Sequence, residues 1–319
     1  MKKALVLGGT GGSGKAIALE LLKRKIPTVI LGRDRKSLDA LANEWGNPKE
    51  LELAVGDVFR TETLVPHFET ADVVFQAANV SYQEMETKLM LLGKSVMEAA
   101  EKTGKKIVFV DGVYVYGKNP GYPVEEDYLH LAHTKKGKIK VEFARMIFSG
   151  LWKKAKPLIV RLPDYYGPTS KLAYLNPTLD GLASGKPGIF FGSLKPQREY
   201  VYLPDAAEMI VEIALRENSF GQTWNIPGQV ISGKEIIKIA EAHLGKKSTV
   251  ISLGRFSVQL IGIFDSFLRE VVEIMYLMED PLKLSGRKYS EKIGTIPETS
   301  FEKGIAVTLD SIRGKNDSI

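Results

Sequence analysis

A doubly wound α/β fold, with helices on both faces of a parallel sheet and a smaller subdomain towards the C-terminus, is predicted by three features of this chain. Short apolar runs alternate with amphipathic stretches through the first half. A glycine-rich turn joins the first run to the first amphipathic stretch. Beyond residue 165 the alternation gives way to punctuation at Gly167-Pro168, Pro177, Gly185-Lys186-Pro187-Gly188, Pro196, Pro204 and Gly221.

The apolar run Ala4-Leu5-Val6-Leu7 sets a first strand at 3–7. The apolar spacing of Lys15-Ala16-Ile17-Ala18-Leu19-Glu20-Leu21-Leu22 sets a helix over 13–25. Further strands are expected at 28–32, 50–54, 72–76, 106–110 and 157–161, with helices over 35–46, 61–69, 83–103 and 132–155 between them. Strands separated by helices need right-handed crossovers, which make the sheet parallel. The ligand site then lies at the carboxyl ends of the strands, where strand order reverses. In the second half, short strands are expected at 200–202 and 223–226, and helices over 205–217, 233–244 and 299–313. A long amphipathic helix is expected over 256–278. The organisation expected is a sheet domain at 1–165, a smaller mixed α/β substrate-side subdomain at 166–313 interleaved with it, and a frayed tail at 314–319.

The chain has 319 residues, 44% of them hydrophobic and 26% charged, which suits a globular protein with a large core. It has no cysteine, which excludes disulfides, thiolate nucleophiles and zinc–cysteine sites. The net charge is +6, but no dense basic block stands out beyond Lys135-Lys136-Gly137-Lys138-Ile139-Lys140. The excess reads as solvated surface, or as a complement to an anionic small molecule, and no nucleic-acid partner is expected. His130 and His133 beside Glu126 and Asp127 read as a polar loop, and no metal site is expected. The apolar region from Phe256 to Met278 carries Asp265, Arg269, Glu270 and Glu273, which argues against a membrane span and for packing on the domain or on a dimer partner. Met1-Lys2-Lys3 leads into the first strand with no secretory signal, so a cytoplasmic chain without a membrane partner is expected.

Gly8-Gly9-Thr10-Gly11-Gly12-Ser13-Gly14 fills the turn between the first strand and helix. Glycines at 8, 11 and 14 let the chain turn tightly, approach a pyrophosphate without a Cβ clash and pack the helix on the sheet. The N–H groups and positive dipole end of the helix then face the phosphates. With a strand before it and a helix after it, this is a Rossmann-type dinucleotide fingerprint, to which Thr10, Gly12 and Ser13 also contribute. Arg33 lies nineteen positions past Gly14, where NAD-preferring sites place an acidic residue. A cation there accommodates a 2′-phosphate, so NADP is expected, with Arg35 or Lys15 as helpers. Asp34, one position later, keeps NAD open. Asp57 and Val58 follow the third strand, where a carboxylate can accept from the adenine amino group. Ala77, Ala78 and Asn79 follow the fourth, where small residues let the cofactor cross the sheet.

Together these residues resemble the extended short-chain dehydrogenase/reductase family, also called the NAD-dependent epimerase/dehydratase family, over nearly the whole chain. The resemblance is carried further by Asp72-Val73-Val74-Phe75-Gln76-Ala77-Ala78, by Val115-Tyr116-Gly117, and by Arg161-Leu162-Pro163-Asp164-Tyr165-Tyr166-Gly167-Pro168. Arg198-Glu199-Tyr200-Val201 followed by Asp205-Ala206-Ala207, and Gly294-Thr295-Ile296-Pro297-Glu298-Thr299, extend it towards the end. It implies a nicotinamide cofactor and a small carbonyl or sugar-nucleotide-like substrate, with Arg198 on the substrate phosphates. Asp164 stands where relatives often have Asn near the substrate, and Tyr82, Tyr165 and Tyr166 are candidate pocket walls. The resemblance also implies a homodimer through the helices near 83–103 and 132–155.

The catalytic residues depart from the family pattern. The family uses a Ser or Thr four positions before the tyrosine of V-Y-G, and a Tyr-x-x-x-Lys on the next helix. Here those positions hold Gly112, preceded by Asp111, and Lys136, with Lys140 retained to hold the nicotinamide ribose. Lys136 near another lysine, and partly buried, is expected to have a depressed pKa and to serve as proton donor or base; the competing reading turns it to solvent. Tyr114 or Tyr116 could supply a hydroxyl from the strand side. The catalytic candidates are thus Lys140, Tyr114, Tyr116 and Lys136. The expected function is that of an NADP-dependent oxidoreductase or epimerase/dehydratase-type enzyme. The alternative is a non-enzymatic NADP-sensing regulatory binding protein, like the NmrA-type relatives. A third reading, an isomerase or lyase, would use Asp111, Lys136 or Lys140 as acid or base.

Overall fold

The computed structural model describes residues 1–314, in two compact units. One comprises Met1–Asp111, Ile139–Arg161 and Ala207–Trp224; the other comprises Gly112–Lys138, Leu162–Ala206 and Asn225–Ile319. The tail expected at 314–319 lies, beyond Gly314, outside the described residues.

The first unit is built on β1 (Ala4–Leu7), β2 (Thr28–Gly32), β3 (Leu51–Val55), β4 (Val73–Gln76), β5 (Lys106–Gly112) and β6 (Lys156–Leu162). Between them run α1 (Gly12–Lys23), α2 (Arg35–Glu44), α3 (Thr61–Thr70), α4 (Met85–Thr103) and α5 (Lys135–Ile147), of which the residues from Ile139 belong to this unit. The sheet order is β3-β2-β1-β4-β5-β6, with the short strand Thr223–Asn225 beyond β6. β1 is fully buried, and Leu5, Leu7, Phe68, Val74, Val96, Phe109 and Ile159 share its core. Each such side chain contributes about 1.5–3 kcal/mol by leaving water.

α2 starts at Asp34, whose carboxylate accepts from Lys36 N and Ser37 N. α4 stops at Gly104, which takes the left-handed conformation that closes a helix. α5 starts after Thr134, whose hydroxyl accepts from Gly137 N at 3.1 Å. It ends well short of the expected residue 155. There Trp152 donates its indole N–H to Met146 O at 2.8 Å, and the Glu101 carboxylate accepts from Lys154 N and Ala155 N. Those bonds satisfy a turn that a continued helix would have filled.

β1 pairs in parallel with β2 on one side and β4 on the other, Leu7 standing opposite both Leu31 and Gln76. The chain therefore leaves β1 in opposite directions, and a crevice opens beyond its carboxyl end. Two glycines make the turn in that crevice fit. Gly8 has φ +77°, and a Cβ on it would stand 2.5 Å from Ala78 N and Cα. A Cβ on Gly14 would stand 2.2 Å from Gly8 O, which locks α1 against the turn.

The second unit holds a three-stranded sheet, ordered Gln229–Ser232, Gln197–Tyr202, Asp164–Tyr166, and a parallel pair of Gly188–Phe191 with Val250–Leu253. Leu179, Leu182, Phe190, Tyr200, Ile236, Ile305 and Leu309 form its core. Four of these strands, of three or four residues, are too short to show a period and were not anticipated, nor was the helix Asn176–Ala183.

The long helix expected over 256–278 is three helices: Arg255–Ile261, Ser266–Ile274 and Tyr276–Glu279. Asp265 breaks it by capping the second, accepting from Leu268 N at 2.9 Å. The chain folds back there, with the Cβ position of Gly262 only 3.0 Å from Arg269 N.

Gly14→Ala places its methyl on backbone that cannot move aside, so a loss beyond the usual overpacking cost of about 1–3 kcal/mol is expected. Thermal unfolding should show a midpoint lower by several degrees, whereas Gly150→Ala, with nothing within 4 Å of its Cβ position, should leave it in place.

Candidate functional site

The anion-facing part of the first unit is the start of α1. Its N-cap, Gly11, offers no side-chain cap, so the first N–H groups of the helix keep no side-chain acceptor there. Thr10, Gly12 and Ser13 are half-buried around them. Such a terminus attracts a phosphate through both hydrogen bonding and the helix dipole. Ala77 N donates to Leu7 O at 3.0 Å, which brings the segment Ala77-Ala78-Asn79 beside the turn. Asp57 accepts from Phe59 N at 3.1 Å, and Val58 packs on the core.

At the end of β2, Arg33 is exposed. Asp34 is exposed too, but its carboxylate is spent on capping α2, and the Ser37 hydroxyl, then the Ser37 and Lys36 N–H groups, hold its pKa below the usual range. The two expected helpers are also engaged. Lys15 pairs with Glu44 at 3.0 Å and Arg35 with Asp39 at 2.9 Å. Among the described residues Arg33 is the cation of the three without a salt bridge, its charge being felt at a distance by Glu84.

At the end of β5, Asp111 meets Lys140 Nζ at 2.7 Å, both side chains being buried. The ammonium also lies 5.6 Å from the Phe143 ring centre. Asp111 Oδ1 faces the ammonium; Asp111 Oδ2 has no hydrogen-bond partner among the described residues. A buried acceptor left in that condition costs about 1–3 kcal/mol, which a ligand hydroxyl would recover.

In the second unit, the Tyr114 ring packs on Gly112. A Cβ on Gly112 would stand 3.0 Å from Tyr114 Cε2. The Tyr114 hydroxyl lies 3.2 Å from that of Tyr174. Tyr116 is fully buried and donates to Asn225 Oδ1 at 2.9 Å, while Asn225 Nδ2 donates to Val124 O. That hydroxyl is committed to holding the chain, as the packing reading of Tyr116 requires.

Lys136 neither points to solvent nor titrates low. It is buried, and its ammonium is held by Glu270 and by Glu273 at 2.8 Å, while its backbone N–H donates to Glu273 Oε1. Burial pulls its pKa down, but the two carboxylates outweigh burial and hold it above the ordinary lysine value. The expectation of a depressed pKa is therefore overturned. Its source was the neighbouring lysine; the carboxylates stand 134 and 137 residues further along the chain, where Glu270 and Glu273 had been read only as breaks in an apolar run.

Of the substrate-side candidates, Tyr82 opens a single helical turn, Tyr82–Glu84, in the first unit. Asp164, Tyr165 and Arg198 sit on paired strands of the second, where Asp164 stands opposite Tyr200. Burial pushes the Asp164 carboxyl up to about 7, against the Tyr165 and Tyr174 N–H groups and the Arg198 charge. Arg198 is buried, lies 4.6 Å from the Phe190 ring centre and donates to Ser193 O at 3.0 Å. Asp111 Oδ2, Tyr174 and the two hairpin carboxylates are the site features the residue pattern did not single out for these roles. Only the i, i+3 spacing of Glu270 and Glu273 could have hinted at one of them.

The model of the NAD dependent epimerase/dehydratase family matches residues 4–227. The chain belongs to this family. UDP-N-acetyl-alpha-D-glucosaminuronate decarboxylase of Bacillus cytotoxicus is 27% identical over 261 residues, covering 75% of this chain and 78% of that protein. The dTDP-4-dehydro-6-deoxyglucose reductase of Escherichia coli is 25% identical over 294 residues, covering 85% and 90%. Among solved structures, UDP-glucuronic acid 4-epimerase from Bacillus cereus in complex with NAD superposes with a TM-score of 0.78 at 18% identity, over 98% of this chain and 99% of that one. This epimerase/dehydratase chain thus has the family's fold, with Gly112 at the end of β5 and Lys136 in the first turn of α5.

Glu273 has a pKa below its ordinary value: burial raises it, but the Lys136 ammonium and N–H lower it by more. Its contribution is present above about pH 4.5 and is lost as the pH falls through the lower folded value. Lys136→Gln should cost about 1–3 kcal/mol at pH 7 by leaving carboxylates without their cation. Denaturant titrations of both proteins should converge as the pH is lowered through the acid range.

Proposed function

We propose that the chain binds a nicotinamide dinucleotide, NADP in preference to NAD, and performs redox chemistry on a sugar-nucleotide-like carbonyl or hydroxyl, with the Tyr114 hydroxyl as the proton-transferring group. The observation that carries this reading is the packing of the Tyr114 ring over Gly112. It brings a phenol to the segment where the family keeps a serine or threonine. Lys136 and Tyr116, the other candidates, spend their polar groups on Glu270, Glu273 and Asn225.

When bound, such a cofactor supplies hydride transfer. The α1 N-terminus would hold its pyrophosphate, and Gly8 and Gly14 leave the backbone close enough to do so. Asp111 Oδ2 is a buried acceptor suited to a ribose hydroxyl, and Lys140, on Oδ1, orients that carboxylate. Asp57 and Val58 would face the adenine. The Tyr114 phenol can donate its proton to a carbonyl oxygen as negative charge develops there, and recover it in the reverse direction.

A second reading has support of its own. With Lys136 locked between two carboxylates and no hydroxyl at 112, the chain could bind NADP and signal its presence without turnover. The relatives' names, a decarboxylase and a reductase of sugar nucleotides, favour the enzyme.

Two measurements test these readings. With UDP- and dTDP-sugars and NADPH or NADP⁺ as substrates, Tyr114→Phe should lower kcat by about 10²–10⁴-fold while cofactor affinity holds within about twofold. Unchanged turnover removes Tyr114 from the mechanism, and absence of turnover in the unaltered protein with NADPH bound favours the sensor. Arg33→Ala should lower the NADPH-over-NADH affinity ratio by about tenfold, or 1.4 kcal/mol. An unchanged ratio sinks the assignment of NADP to Arg33.

A further inference from the structure

We infer that Tyr174 is the positioning residue of Tyr114: its hydroxyl holds the Tyr114 phenol and returns the proton that this phenol gives up. The inference rests on the reading of Tyr114 as the proton-transferring group, and adds the group that aims and recharges it. Both tyrosines belong to the second unit. Their hydroxyls are hydrogen-bonded at 3.2 Å, and either can be the donor. That distance is long for two hydroxyls, as catalytic hydrogen bonds are before a substrate draws charge onto one partner.

The chain around Tyr174 is fixed far beyond the need of a connection. Tyr174 lies between the strand Asp164–Tyr166 and the helix Asn176–Ala183. Connections are ordinarily the looser parts of a fold. This one is held at three points. Buried Asn176 accepts from the Ser170 hydroxyl at 2.6 Å and from Ala173 N at 3.2 Å, and its amide nitrogen donates to Ser170 O at 3.0 Å. The Asp164 carboxyl accepts from Tyr174 N. The Tyr174 ring stands edge-on to Phe191, with ring centres 6.5 Å apart. An amide and a carboxyl are thus spent on the backbone beside one tyrosine, whose own hydroxyl meets Tyr114. Tyr174 is half-buried and Leu172, two positions before it, is 86% exposed, so the phenol stands at the margin of solvent.

A hydroxyl has one proton and two acceptor positions. Tyr114 can therefore accept from Tyr174 while directing its own proton at a substrate oxygen. In the reductive direction the Tyr114 O–H bond breaks and its proton goes to that oxygen, balancing the hydride that a reduced nicotinamide delivers to the carbon. A donor already in place stabilises the Tyr114 phenolate as it forms. The Tyr174 O–H bond then breaks in turn, and its proton closes the Tyr114 hydroxyl. Water reprotonates Tyr174, leaving hydroxide in solvent. The oxidative direction runs the same transfers backwards.

The test is a double-mutant cycle on kcat with NADPH and the UDP- and dTDP-sugars, using Tyr114→Phe, Tyr174→Phe and the pair. Tyr174→Phe keeps the ring on Phe191 and removes one oxygen, so its thermal midpoint should hold. It should lower kcat about ten- to hundredfold, the worth of a hydrogen bond to a developing charge, with KM within about twofold. In the Tyr114→Phe background it should cost nothing further, because the group it acts through is gone. An equal loss in both backgrounds assigns Tyr174 a structural role and overturns the inference. So does full activity of Tyr174→Phe beside a slow Tyr114→Phe, which leaves the reading of Tyr114 standing. Unchanged turnover of Tyr114→Phe, or none in the unaltered protein, overturns that reading and the inference with it.

Discussion

An ammonium removed from water costs several kcal/mol unless a carboxylate comes with it, and α5 carries two buried ones a single turn apart. The chain answers each separately. Asp111, the last inward residue of β5 before Gly112, meets Lys140. Glu270 and Glu273 meet Lys136. Neither lysine could remain buried without its partner, so the end of β5 and the fold of the hairpin both depend on these contacts. The charge of Lys136 is therefore matched by residues far along the chain, before any substrate is considered.

The first unit was legible because its strands and helices are long enough to display a period and its turns are marked by glycine and by capping residues. β1 to β6 fall within two residues of the positions expected at most ends. The second unit was not legible in the same way. Much of it is held by polar side chains bonding to backbone far along the chain. Glu199 accepts from Gly228 N and Leu284 N, and Asp205 from Thr299 N and its hydroxyl. Contacts of that kind leave no periodic trace. For the same reason the cofactor turn could be read from the residue pattern, while the partners of Lys136 could not.

The two units also differ in how they leave groups available. In the first, the uncapped start of α1 and Asp111 Oδ2 are polar positions whose partners the protein does not itself provide. In the second, the polar groups around Tyr116, Lys136 and Arg198 are largely satisfied internally. The first arrangement tolerates a ligand at little cost in reorganisation. The second restricts where new chemistry can arise, and leaves Tyr114 with Tyr174 as the phenolic pair nearest in sequence to Gly112.

The packing at Gly112 has a consequence for substitution. A Cβ at 112 would press against the Tyr114 ring, and loss of the ammonium at 136 would strand Glu270 and Glu273 without a cation. A hydroxyl at either position therefore asks more than an exchange of one side chain: at 112 the Tyr114 ring must give way, and at 136 the two carboxylates must find another partner.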